Sequence, residues 1–231
     1  MPKKKSSAKT ASKKKSSPKE KINYGLVFEP KKKQRVILYI LIVIVSFSLS
    51  YYYINYALSQ NSTNGFPLDD PWIHLTFAKN LVEYQSFSYF KNEMVTSGST
   101  SPIYTILLSI GFLITKDEMT LSYILGILFF ILSALSLYKL SSYEFVKENL
   151  YAIVITAIFI CDKWMAFISD SGMETTMFIF VLITCVYFYK ERKAVPFAVF
   201  LGLILWSRPD GVVFIGALTV DYFVAKQFSK S

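Results

Sequence analysis

Long stretches without charged side chains alternate with short polar segments along this chain. The first, 36–58, holds 23 uncharged residues, enough to cross a hydrocarbon core of about 30 Å with some tilt. A soluble domain of this size does not need several such stretches, so the pattern predicts an all-α polytopic membrane protein with about six transmembrane helices. The later apolar runs cover 119–138, 149–161, 172–189, 194–207 and 211–225.

Two further helices are predicted in the loop between the first two crossings. One covers 70–84: Pro71 suits a first helical turn, and Asp69 or Asp70 can cap it. Its polar side chains form one narrow stripe opposite a wide apolar arc, which is typical of a helix lying in the membrane interface. The stripe consists of Thr76, Lys79, Asn80 and Glu83. The other helix, 102–115, would reach only about 21 Å, too short to cross.

The distribution of Lys and Arg over the loops selects between two topologies. If 102–115 crossed the membrane, nine loop cations would lie outside and three inside, which inverts the positive-inside rule. If it stays outside, seven lie inside and five outside, with the basic cluster at 190–193 inside. We therefore predict a cytoplasmic N-terminus and an extracytoplasmic loop at 59–118 that carries both interfacial helices.

Composition divides the chain into three parts. It has 231 residues, of which 53% are hydrophobic and 17% aromatic, and its first 35 residues hold 13 of the 25 Lys and Arg. We interpret 1–35 as a disordered polybasic cytoplasmic tail, 36–225 as the membrane module and 226–231 as a short cytoplasmic end. The tail has no nucleic-acid-reading module beside it, so no nucleic-acid partner is expected. Cys161 and Cys185 lie in apolar runs without metal-ligand spacing.

On this topology, acidic and basic side chains meet at the outer rim of the membrane. Acids and a base that converge on one rim indicate a candidate site. The members are Asp69, Asp70, Glu174, Arg208 and Asp210. A polar break at 207–211 separates two short apolar runs, which favours irregular backbone lining a cavity over an ordinary hairpin. His74 falls on the apolar arc of its helix, and we interpret it as a packed interfacial residue rather than a ligand.

The order of these motifs resembles that of the GT-C membrane glycosyltransferases. The acidic pair Asp69–Asp70 precedes PWIHLTFAKNLVEY (71–84) and a second helix opened by proline, and SGMET (171–175) and SRPDG (207–211) follow. The chain is most similar to bacterial lipid-linked arabinofuranosyltransferases and aminoarabinose transferases, and more distantly to protein O-mannosyltransferases. The resemblance covers 36–225. It implies transfer of a sugar from a polyprenyl-phosphate donor to an extracytoplasmic glycan, lipid or protein acceptor, in a bacterial or archaeal plasma membrane.

The resemblance also assigns roles to residues. It places Asp69 on the catalytic base and Asp70 on its neighbour, and a carboxylate is suited to take the proton of an acceptor hydroxyl. The departing lipid phosphate needs neutralisation by a cation or by a divalent metal such as Mg or Mn. The candidate cations are Lys79, Lys116 and Arg208. The candidate metal ligands are Asp69, Asp70 and Glu174.

The same resemblance raises a question about partners. Members of the family continue with further crossings, whereas this chain stops at Ser231. We therefore expect, besides membrane lipids and the lipid-linked donor, a partner subunit or a missing C-terminal half. The alternative function is a non-catalytic membrane subunit that binds glycolipid or assists assembly while retaining the fold.

The predicted topology can be tested by cysteine labelling. Lys116→Cys and Lys190→Cys are placed separately in a background where Cys161 and Cys185 are replaced by serine. A membrane-impermeant maleimide added to intact cells should label position 116 and not position 190, because the two lie on opposite faces. Labelling of position 116 only after permeabilisation would contradict the six-crossing topology.

Overall fold

The computed structural model describes residues 30–60, 65–91, 93–145 and 149–228, and this part of the chain is helical, without strands. The distal tail (1–29) and the final residues (229–231) lie outside the described residues, so their predictions are untested. The helices are α1 (Lys32–Gln60), α2 (Asp70–Tyr84), α3 (Pro102–Phe112), α4 (Glu118–Glu144), α5 (Asn149–Cys161), α6 (Lys163–Asp170), α7 (Thr175–Lys190), α8 (Ala194–Ser207) and α9 (Gly211–Phe228).

Two helices, α1 and α4, are each long and apolar enough to cross a membrane. The pair α5 and α6 adds a third candidate if it is one span, bent by 55° at the break. The helices α3, α7, α8 and α9 are apolar but shorter. An integral membrane protein with an all-helical fold is therefore supported, and the count of six crossings stays a prediction.

The two loop helices follow the sequence pattern with three differences. Helix α2 covers the residues predicted for it, but the side chain of Asp69 makes no capping hydrogen bond. Helix α3 ends at Phe112, three residues before the predicted end, because the chain turns there through a bond from the Ile114 N–H to the Gly111 carbonyl. Asn80, expected on the solvated stripe, is buried and donates to the carbonyls of Ser88 and Tyr89.

Helix α6 lies in the segment between the apolar runs 149–161 and 172–189, where the sequence pattern predicts no helix. Its start is fixed by the carboxylate of Asp162, which accepts hydrogen bonds from the N–H groups of Trp164 and Met165. A side-chain acceptor at this position satisfies donors that a helix start leaves free. The same cap interrupts the hydrogen bonding between α5 and α6 and accounts for the bend.

Helix α4 is the centre of the bundle and contacts α1, α5, α6 and α7. Buried Phe130, Ala134 and Tyr138 face the α1 and α5 side. Between α1 and α6, the hydroxyls of Ser50 and Ser169 lie 2.9 Å apart, and both side chains are fully buried. Small side chains let these helices approach closely, as is common between membrane helices.

Gly126 allows a close approach between α4 and α6. A Cβ at Gly126 would lie 1.9 Å from the carbonyl oxygen of Ser169, which is backbone and cannot rotate away. We expect Gly126→Ala to lower the free energy of unfolding in micelles by about 1–3 kcal/mol, because the two helices must separate. In the control Gly202→Ala, also within a helix, the added Cβ meets no atom within 4 Å. An equally stable Gly126→Ala would contradict this packing.

Candidate functional site

The site is built around the carboxylate of Glu174, which is 2% exposed and directly precedes α7. Its Oε2 lies 3.2 Å from Nε2 of His74, on α2. Its Oε1 lies 3.3 Å from Nη1 of Arg208, which follows α8. One buried carboxylate therefore joins three segments that are far apart in the sequence.

A row of hydroxyls orients the His74 ring. Nδ1 lies 3.1 Å from Oγ of Ser99, which in turn lies 2.8 Å from Oγ1 of Thr105 on α3. An ionised carboxylate only accepts, so Nε2 carries the proton that faces Glu174. In the neutral ring Nδ1 then accepts from Ser99. The ring also packs edge-on against Tyr104, with ring centroids 5.7 Å apart.

The sequence pattern predicts a packed His74 and does not indicate its polar role. The burial is as expected, since the side chain is 2% exposed. Its partner, however, is a carboxylate 100 positions later in the chain, which periodicity cannot reveal. A usable signal was present: His74 follows Asp70 by four residues, so both side chains project from one face of α2.

The environment of Glu174 favours its ionised form. Burial alone would raise the pKa of Glu174, but the neighbouring His74 and, less strongly, Arg208 outweigh burial and hold that pKa below its usual value. The contact with His74 is close but poorly aligned, because Oε2 has no hydrogen-bond partner among the described residues. Glu174 is thus a weak base and a fixed negative charge.

Arg208 is held from several sides. Besides Glu174, its Nη2 lies 3.2 Å from Oδ2 of Asp210, and its Nη1 donates to Oγ1 of Thr175 at 3.2 Å. The guanidinium carbon lies 5.9 Å from the centre of the Phe178 ring. The Asp210 side chain is 70% exposed, so its pairing with Arg208 is easily exchanged for another anion.

A cavity of about 210 Å³ opens beside these groups. It brings together two predicted site residues, Glu174 and Arg208, with a third, Asp70. Asp69 is exposed and is not part of the cavity wall, although it is adjacent to Asp70. The wall consists of Asp70, Ile73, His74, Gly98, Thr100, Glu174, Arg208, Pro209 and Asp210.

The two predicted lysines lie away from this cavity. Lys79 donates to Glu118 at 3.1 Å in an exposed ion pair. Lys116 is exposed and does not contribute to the wall. Neither side chain is placed to neutralise an anion bound beside Arg208, which makes Arg208 the remaining candidate.

The predicted metal site gains no support. Within the described residues, no three His, Cys, Asp or Glu side chains are grouped closely enough to hold a metal ion. Of the three proposed ligands, Asp69 lies off the cavity wall and Glu174 is already paired with His74 and Arg208. We therefore derive no step of the chemistry from a metal.

Comparisons with protein-family models, with curated proteins and with solved structures find no match to this chain. The similarity to GT-C enzymes therefore rests on the order of sequence motifs alone. What the geometry adds is a carboxylate, Asp70, and a guanidinium, Arg208, on the wall of one cavity. Such a pair can accept a proton and stabilise an anion in the same place.

Removing the central carboxylate should destabilise the fold strongly. Glu174→Gln removes the buried charge partner of the partly buried Arg208 and leaves it only the exposed Asp210. We expect a loss of about 3 kcal/mol in the free energy of unfolding. The matched control is Glu118→Gln, which breaks the exposed pair with Lys79 and should cost less than about 1 kcal/mol. Equal losses in denaturant titrations of the two variants would contradict the buried ion pair.

The pH dependence of stability should differ in the same way. Because the pKa of Glu174 is lowered in the folded protein, its stabilising contribution is complete above the unfolded value of about 4.3. The contribution is lost as the pH falls through the folded-state pKa. The wild type should therefore lose more stability than Glu174→Gln does when the pH falls from neutral through the folded-state pKa of Glu174. Parallel profiles of stability against pH for the two proteins would contradict the ionised state of Glu174.

Proposed function

We propose that this protein is a membrane glycosyltransferase that moves a sugar from a polyprenyl-phosphate donor to an acceptor hydroxyl outside the cytoplasm. The observation that carries the proposal is that Asp70, Glu174 and Arg208 meet at one cavity. The motif order and the apolar helices around the site support the lipid-linked nature of the donor.

In this proposal Asp70, rather than Asp69, is the general base. Asp70 is exposed and lies on the cavity wall, so an acceptor hydroxyl can reach it. Glu174 is less suited, since its lowered pKa weakens it as a base and its Oε2 is buried. An acceptor oxygen that transfers its proton to Asp70 attacks the anomeric carbon, and the bond from that carbon to the phosphate oxygen breaks.

Arg208 stabilises the departing lipid phosphate. Its guanidinium can bind two phosphate oxygens at once, and Glu174 holds it in place from the buried side. The exposed Asp210 occupies the outer side of the guanidinium and must leave when a phosphate binds. Asp210 therefore competes with incoming anions for Arg208. Its ion pair keeps Arg208 oriented while the cavity is empty of substrate.

Adjacent aspartates provide a matched pair of variants. Asp70→Asn should lower turnover by about 100-fold or more while donor binding is largely kept, because Asn cannot take the proton. Asp69→Asn, one residue away and off the cavity wall, should change turnover only a few-fold. The turnover of each variant is measured with the purified full-length chain. The readout is the release of polyprenyl phosphate from a panel of synthetic polyprenyl-phosphate sugars.

Each result of this comparison has a distinct meaning. A larger loss in Asp69→Asn would reverse the assignment of the base. Full activity in both variants would reject acid–base catalysis by this pair. Donor binding without any transfer, in the wild type as well, would favour the alternative of a non-catalytic subunit that binds glycolipid.

A further inference from the structure

A second and larger cleft, of about 630 Å³, opens between the C-terminal end of α1 and helix α6. It shares no wall residue with the cavity beside Glu174. Its wall is mostly apolar and rich in aromatic rings. The rings are those of Tyr53, Tyr56, Phe66, Tyr123, Trp164 and Phe167.

An acidic and a basic side chain lie at the two ends of α6, on the wall of this cleft. Asp170, at the C-terminal end, is partly buried: Oδ1 accepts from Oγ of Ser169 at 3.0 Å. Its Oδ2 is buried and has no hydrogen-bond partner among the described residues. Lys163, at the N-terminal end, is exposed, and its Nζ lies 5.4 Å from the centre of the Trp164 ring. Seven residues of helix separate the two by about 10 Å.

The aromatic wall, the carboxyl group of Asp170 and the ammonium group of Lys163 together favour a ligand that carries a positive and a negative group. A buried carboxylate oxygen without a partner calls for a donor, and aromatic faces attract ammonium groups in particular. The lysine at the rim attracts an anion. We propose that the cleft binds the headgroup of a zwitterionic phospholipid, with its ammonium group among the aromatic rings beside Asp170 and its phosphate at Lys163.

The surroundings of the cleft favour a membrane lipid over a soluble phosphodiester. The cleft lies where four tyrosines end α1, an arrangement typical of the membrane–water interface. They are Tyr51, Tyr52, Tyr53 and Tyr56. Towards the start of α1, Phe47, Ile44 and Val43 are exposed and apolar, so acyl chains can pack against this helix. The assignment does not depend on the proposed transferase activity.

The headgroup preference of the wild type is the primary test. The full-length chain, purified in a neutral maltoside, is incubated with equal amounts of phosphatidylethanolamine and phosphatidylglycerol of identical acyl chains. Native mass spectrometry then counts the retained lipids. We expect phosphatidylethanolamine to be retained about 10-fold better, because only its headgroup carries an ammonium. Phosphatidylcholine, whose quaternary ammonium keeps the positive charge but has no N–H to donate to Asp170, should be retained to an intermediate degree. Equal retention of all three lipids would overturn the proposal.

Variants locate the preference. Asp170→Asn should abolish the difference between the two lipids, and a preference that survives in this variant would overturn the assignment to the cleft. Lys163→Gln should weaken the retention of both lipids, since both carry a phosphate. Its control is Lys91→Gln, because Lys91 also lies over a ring, that of Tyr84 at 5.5 Å, but outside the cleft.

A competition experiment distinguishes the membrane lipid from a soluble molecule with the same headgroup charges. Phosphoethanolamine, which has the headgroup charges but no acyl chains, is added at the concentration of the lipid. It should displace little of the retained phosphatidylethanolamine, because the apolar wall contributes to binding. Complete displacement would overturn the lipid assignment. This experiment and the wild-type lipid comparison decide the matter even if Asp170→Asn fails to fold.

Discussion

The buried ion pair of Glu174 is the constraint on which the arrangement of this end of the helix bundle depends. Removing an ionised carboxylate from water is costly unless its partners replace the lost hydration. Here the partners come from α2, through His74, and from the segment after α8, through Arg208. The approach of these segments is therefore set by charge as well as by apolar contact. The cavity between them exists because all three side chains are held together.

Two neighbouring spaces with different chemistry result from this arrangement. Phe66 belongs to the wall of the aromatic cleft, and its ring contacts those of Trp72 and Tyr123, with centroids 5.1 and 5.7 Å apart. A Cβ on Gly172, whose φ is +77°, would meet the Phe66 ring at 2.6 Å. The left-handed backbone and the close ring both favour glycine there. The charged cavity at Glu174 and the aromatic cleft at Asp170 thus flank one short turn.

Local patterns predicted most of the described helices, with α6 the exception, and four of the five side chains grouped at the predicted outer rim lie on one cavity wall. Periodicity gave α2 its bounds, and the outer-rim grouping included Asp70, Glu174 and Arg208, which share the cavity wall. These patterns did not predict the direction in which each side chain projects from its helix. Lys79 follows Asp70 by nine residues, or two and a half turns, and so projects from the opposite face of α2. Partners distant in sequence, such as those of His74, are fixed by tertiary packing and have no local signal.

The central claim is that α2 and the segment after α8 meet at one cavity, and cross-linking tests it most directly. Cysteines replace Asp70 and Asp210 in a background without Cys161 and Cys185, and a short bis-maleimide is added to membranes. The control pair joins position 70 to Lys193→Cys, which is separated from the cavity by the length of α8, about 21 Å. The account predicts an intramolecular cross-link for positions 70 and 210 and none for positions 70 and 193. Efficient labelling of both cysteines at 70 and 210 without a cross-link would contradict it.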